Sequence, residues 1–356
     1  AYAAEDAEVT WRLHRLLKPR LSDEAATRIY ERVDRPLIPV VADMERAGVL
    51  VDREKLSKLS GEFAQRMGAL EPRIRACAHA LMAALPRGTL IDAVTDIGYP
   101  FAIRAQADWL GWQGVEVELL AWLADSHEAT RSADRSRTDA AAAAFDDIVA
   151  AQIRRRRALG AAAPRDPTAE LLDVRICGRP LTDAEVVSIL RNWTAGDLGS
   201  IAASLGVAIH FLAAHPDIQS ALRAAPGELA PAIDEMLRID APFLVTRRVV
   251  TATTRVAGFT LAAGTRVYLN WASANRDERV FGDPDAYQPR EHARHNLVYG
   301  AGVHVCPGRP LATLELVVAV EALLRGTSRI VLAPGESLER ETYPSGGWRR
   351  VPILLS

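Results

Sequence analysis

One cysteine in this chain stands where a thiolate could be made and held. Residues 299–308 read YGAGVHVCPG, with Cys306 near the end of a glycine-rich loop. Gly300, Gly302 and Gly308 carry no Cβ, so the backbone can turn sharply and a flat ligand can come close to it. After Pro310, residues 311–324 (LATLELVVAVEALL) have helical apolar spacing, and Pro310 suits a first turn because its missing N–H would be unpaired there. Cys306 therefore just precedes a helix N-terminus, whose unpaired amides and dipole favour a thiolate. A soft thiolate on a loop that fits a planar surface points to a haem iron ligand. Taken alone, a single cysteine reads as a buried, inert thiol.

Other segments must position that loop. Leu181 is followed by Thr182 and Glu185 at capping-box spacing, predicting a long helix that runs to about Leu212, with Pro216 after it. Within it, residues 194–200 read TAGDLGS, where small residues allow either room for a ligand or close helix packing. Glu235 and Arg238 share one helix face at i, i+3, a spacing usually found in solvated surface pairs. Residues 255–261 (RVAGFTL) predict two short strands around a turn, and 265–271 (TRVYLNW) a third strand. Arg247 and Arg248 precede these and read either as gatekeeping charges at a strand edge or as partners for a carboxylate.

The order aromatic, Gly, x, Gly, x, His, x, Cys, x, Gly closely resembles the haem-binding loop of the cytochrome P-450 family. That resemblance implies a mainly α fold with a minor β portion, a haem b cofactor and monooxygenase chemistry on a small organic substrate. Electrons would come from a separate redox partner of ferredoxin or flavodoxin type. It assigns Cys306 to the iron, with Tyr299, Gly300 and Gly308 shaping the loop, and Arg248 and His304 to the haem propionates. Ala195 and Gly196 fall on the long helix that crosses the opposite haem face. Glu235 and Arg238 become a buried structural pair. Their usual third partner, an arginine, aligns here with Glu291, with Arg290 one place earlier. The family's distal acid and alcohol align with Leu198 and Gly199, which leaves Asp197 and Ser200 as the candidate proton-relay residues and makes peroxide-driven oxidation a variant. Residues 346–353 (GGWRRVPI) resemble the family's terminal strand segment.

The first residues resemble something else. Tyr2 and Asp6, and the stretch 35–52, resemble the end of the 3′–5′ exonuclease domain and the start of the polymerase domain of bacterial DNA polymerase I. Two-metal phosphoryl chemistry needs several converging carboxylates, and the other acidic motifs are absent. The resemblances change over near 70–75, giving an expected division into 1–71, polymerase-like and helical, and 72–356, a cytochrome P-450-like domain lacking its N-terminal portion. The competing readings are a nucleic-acid-binding fragment without a complete active site, or an inactive chimera.

Composition narrows the classes. The chain has 356 residues, 49% hydrophobic and 25% charged, with a net charge of −2, which makes no whole-chain case for nucleic acid or an anionic membrane. Cys77, Cys177 and Cys306 are too few and too scattered for a disulfide framework, so a reducing cytoplasm is the simpler expectation. No uncharged apolar run approaches a membrane span and no signal segment opens the chain, which begins at Ala1 like a cut edge. The basic run 154–157 reads as a solvated helix end ahead of the linker 160–167, or as a docking site for an acidic partner.

Overall fold

The computed structural model describes residues 53–132, 134–343 and 345–356. The chain forms two compact units, Ala1–Gln65 and Arg66–Ser356, and the candidate site lies within the second. Helix α1 spans Arg53–Ala84. A short strand β1 (Leu90–Asp92) follows, then a π-helical segment Ala93–Gly98 that Asp92 caps by accepting the N–H groups of Val94 and Thr95, both at 2.9 Å. Next come α2 (Tyr99–Leu110), α3 (Glu116–Arg131), α4 (Arg135–Leu159) and α5 (Pro167–Asp173). The tiny hairpin β2 (Arg175–Ile176) and β3 (Arg179–Pro180) leads to α6, Asp183–Ala214.

Helix α6 is the axis of the fold. Its start carries both halves of the expected capping box: Glu185 N–H donates to Thr182 Oγ1 at 3.3 Å, and Thr182 N–H donates to Glu185 Oε2 at 2.8 Å. Its second half is apolar except for Ser200, Ser204 and His210, and Ile201, Leu205, Val207, Ile209 and Leu212 are all buried. Such a helix must be enclosed. The π segment, α2, α4, α8 and α12 (the last two defined below) pack around it. It is the one helix among the described residues long and apolar enough to cross a membrane, and its burial in the core accounts for that composition.

The close packing rests on glycine at Gly98. A Cβ there would lie 2.9 Å from the Ala202 carbonyl oxygen of α6, backbone that cannot swing aside. Gly98→Ala is therefore expected to lower stability by about 1–3 kcal/mol through overpacking. A urea titration should show a lower midpoint with an unchanged slope; an unchanged midpoint would mean that the helices separate freely.

After α6 come α7 (Pro216–Ala224) and α8 (Leu229–Ile239). Strands β4 (Val245–Val249), β5 (Thr254–Val256), β6 (Phe259–Leu261) and β7 (Arg266–Asn270) form two antiparallel pairs, β4 with β7 and β5 with β6. These match the strands expected from 255–271. Short helices α9 (Trp271–Ala274), α10 (Glu278–Phe281) and α11 (Pro289–His292) precede α12, Arg309–Gly326, whose first turn holds Pro310. Strands β8 (Ile330–Leu332), β9 (Glu339–Arg340), β10 (Trp348–Arg350) and β11 (Pro352–Leu355) end the chain. Strand β11 lies between β1 and β8, pairing Leu354 with Leu90 and Ile353 with Leu332, so the last residues are stitched to the start of this unit. The result is mainly helical with a small β portion.

The basic run matches the expected solvated helix end at Arg154, Arg155 and Arg157, which are exposed, and departs from it at Arg156. Arg156 is buried and pairs with Asp166 at 2.6 Å, while Arg157 pairs with Asp183 and Arg155 donates to the Gln113 carbonyl at 3.0 Å. These arginines tie α4 to its neighbours, so the run is neither a free docking patch nor simply a solvated end.

Candidate functional site

The Cys306 loop is built by backbone. Gly300 and Gly302 both have positive φ, +76° and +64°, a region that side-chain-bearing residues rarely adopt, and the Cys306 N–H donates to the Tyr299 carbonyl at 2.8 Å. That bond closes the loop and holds the half-buried thiol just ahead of α12. A Cβ on Gly308 would lie 3.8 Å from Cys306 Sγ, so this glycine leaves the flank of the sulfur open. Tyr299 is half-buried, and desolvation pushes its phenol up to about 12; its hydroxyl lies 3.4 Å from Thr313 Oγ1. His304 is exposed on a 3₁₀ turn in the same loop. Arg248 is half-buried on β4, opposite Val267 of β7.

Beneath the loop lies a buried ion network. Arg238 donates to Glu235 through Nε (2.7 Å) and a terminal nitrogen (2.8 Å). Its remaining N–H groups reach the carbonyls of Asn275 (2.8 Å), Pro284 (3.0 Å) and Ala286 (3.2 Å). Burial pushes the Glu235 carboxyl up. Arg238, the Gln288 N–H and His292 outweigh that and hold it below the usual carboxylate range. The third side chain is His292, with Nδ1 2.7 Å from Glu235 Oε1 and its ring edge-on to Phe281. The family resemblance puts Glu291 at this third position, with Arg290 one place earlier. Arg290 instead pairs with Glu228 at the surface. Helix α11 starts at Pro289, so His292 falls on its inward side, a phase that spacing alone did not reveal.

On the other face, Ala195, Gly196, Gly199, Ser200 and Ala203 of α6 line a partly open cavity of about 240 Å³, walled also by α3, by Phe243 and by Glu341, Thr342, Ser345, Gly346 and Trp348. Arg131 of α3 donates to both oxygens of Glu341, at 3.0 and 2.6 Å, pinning that helix to the segment before β10. Ser200 donates within the helix to the Asp197 carbonyl at 3.1 Å. Asp197 is not a cavity residue. Its carboxylate accepts a hydrogen bond from Gln106 Nε2 of α2, on the side of α6 that faces the core. Of the two expected relay residues, the structure brings only Ser200 to the cavity.

Comparison with known proteins places this architecture. The cytochrome P-450 family model matches residues 229–336, a span that holds Glu235, Arg238 and Cys306. Cyclomarin C epoxidase of Salinispora arenicola (strain CNS-205) is 32% identical, over 75% of this chain and 68% of its own length. A steroid C26-monooxygenase of Mycobacterium tuberculosis (strain CDC 1551 / Oshkosh) is 30% identical, over 86% of this chain and 82% of its own. The ligand-free structure of cytochrome P-450 TbtJ1 superposes with a TM-score of 0.74 at 29% identity, covering 82% of this chain and 78% of that one. The chain belongs to the cytochrome P-450 family and is an enzyme of monooxygenase type, with the haem iron, separate redox partner and small-molecule substrate that the family implies.

The polymerase reading finds no such support. Tyr2 and Asp6 lie outside the described residues. The steroid C26-monooxygenase of M. tuberculosis (strain ATCC 25618 / H37Rv), 28% identical, aligns with 95% of this chain, more than residues 72–356 alone could supply. The residues present fit a haem. The loop offers one thiol beside a glycine with no Cβ, and basic side chains at Arg248 and His304 suit carboxylates by charge-assisted hydrogen bonding.

Proposed function

We propose that Cys306 is the thiolate ligand of a haem b, and that residues 72–356, at the least, belong to the haem domain. The observation that carries this is the Cys306 loop itself: its thiol is fixed by the Cys306 N–H to Tyr299 carbonyl bond, between positive-φ glycines and α12. When bound, the haem would supply the redox chemistry, and Cys306 would be the residue that holds its iron as a thiolate. Arg248 and His304 would hold the propionates; Tyr299, Gly300 and Gly308 shape the seat. Ala195 and Gly196 leave room on the α6 side, and Ser200 presents a hydroxyl to the cavity. The substrate is a small organic molecule, in line with relatives named as an epoxidase and steroid monooxygenases. Electrons come from a ferredoxin- or flavodoxin-type donor, and the free Cys77, Cys177 and Cys306 accord with a reducing cytoplasmic setting.

The test is the reduced carbon-monoxide difference spectrum of the haem-loaded chain. Wild type is expected to show a thiolate-type Soret shift, and Cys306→Ala to lose it while keeping its helical circular dichroism. The same spectrum from both proteins would overturn the assignment.

A further inference from the structure

The cavity over α6 is bordered by one imidazole. His127 of α3 is half-buried among the cavity-lining residues, and its Nδ1 lies 2.6 Å from the Tyr99 hydroxyl. Burial raises the Tyr99 phenol to about 12, so it keeps its proton, and the neighbouring Arg131 is itself only a donor to the phenol oxygen. Nδ1 is the one acceptor bonded to this phenol among the described residues, so the phenol proton is directed there. A neutral imidazole that accepts at Nδ1 carries its hydrogen on Nε2. Burial also lowers the His127 pKa, which favours that neutral form. Nε2 faces α6 at Gly199: a Cβ built on this glycine would lie 3.5 Å from it. No hydrogen-bond acceptor within the described residues is bonded to this nitrogen, and small residues (Ala195, Gly196, Gly199, Ala203) form the floor beside it.

We propose that His127 is a specificity-determining residue of the substrate cavity. Its Nε2–H, set by Tyr99, selects compact apolar molecules that carry one acceptor oxygen, such as a ketone, turned toward Gly199. Tyr99 is a positioning residue acting through the imidazole. The proposal rests on reading this cavity as the substrate site of the haem enzyme. The floor of small α6 residues suits a hydrocarbon body, while the walls are mixed, with Thr130, Ser200 and the mutually paired Arg131 and Glu341 beside the His127 donor. A placed donor that makes no hydrogen bond within the protein favours the ligand that brings it an acceptor.

The probe pair is 2-adamantanone and adamantane, similar in shape and differing in the oxygen, bound to the haem-loaded full chain. Wild type is expected to prefer the ketone by about tenfold, the order of one buried hydrogen bond. The infrared carbonyl band of the bound ketone is expected to shift to lower frequency. His127→Phe should abolish both the preference and the shift while still binding adamantane. His127→Gln, which keeps an N–H donor, should restore part of the shift, and Tyr99→Phe should weaken it. A ketone band that is the same in wild type and His127→Phe, or equal binding of the two probes to wild type, would overturn the proposal. The carbon-monoxide spectrum separates the two readings. A thiolate signature without ketone preference removes only the role of His127, and a ketone preference without that signature removes only the haem assignment.

Discussion

Glu235→Ala is expected to cost the protein about 3–5 kcal/mol, a loss that would leave little of a typical domain's stability. The magnitude follows from what is left behind. Arg238 is fully buried and all five of its N–H donors are used, two on Glu235 and three on carbonyls of residues 275, 284 and 286. Removing the carboxylate strands a guanidinium in the interior with no counter-charge, and also takes the partner from His292 and the Gln288 N–H. Arg238→Lys should be nearly as damaging, because an ammonium cannot reproduce a planar fork that reaches five acceptors. The effect should reach the site. Asn275, whose carbonyl accepts from Arg238, uses its side-chain oxygen to accept the Leu297 N–H at 2.8 Å, at the entrance to the Cys306 loop. Urea unfolding of wild type and Glu235→Ala measures the loss directly. A destabilisation under about 1 kcal/mol would mean that the network is dispensable.

How much of this was legible depended on whether a local rule determined the feature. The α6 capping box, the first-turn proline of α12 and the strands within 255–271 were readable because each depends on a few adjacent residues. The pairing of Glu235 with Arg238 followed from spacing, whereas its burial did not, since i, i+3 pairs look alike on a surface and in a core. His292 is not legible in this way because it ends α11, a single turn after the irregular residues 282–288, too short for a period to say which side chain turns inward. Asp197 shows the limit in another form. At 100° per residue, Ala195, Gly196, Gly199, Ser200 and Ala203 span an arc of about 140°, and Asp197 falls about 60° beyond its Ser200 edge. That arc could be drawn from the sequence. Which arc faced the cavity was decided by α3 and the 341–348 segment, far away in the chain.

Asp197 nevertheless has a measurable consequence, together with Glu315 of α12. Glu315 is buried, and its Oε2 has no hydrogen-bond partner among the described residues. Burial pushes the Asp197 carboxyl up to about 6, although its bond from Gln106 pulls the other way. Glu315 is raised well above the usual range, first by burial and then by the charge of Asp197. Both groups are thus more basic in the folded chain than in the unfolded one. The sign follows: as pH rises from about 4 toward 6 the unfolded state gives up protons that the folded state keeps, so stability falls by up to about 1.4 kcal/mol per pH unit for each group. Below that window both states are protonated and the penalty vanishes. Glu315→Gln is therefore expected to stabilise the protein at pH 7.5 by about 1–3 kcal/mol and to change little at pH 4, because it replaces a buried acid with a neutral group of the same shape. Asp197→Asn should act in the same direction and less than additively, since each substitution also relieves the other carboxyl. Urea midpoints at pH 4, 5, 6 and 7.5 would show the wild-type decline and its flattening in the variants. Equal effects of Glu315→Gln at pH 4 and 7.5 would show that the pair stores no proton, and that the contact between α6 and α12 is held by packing alone.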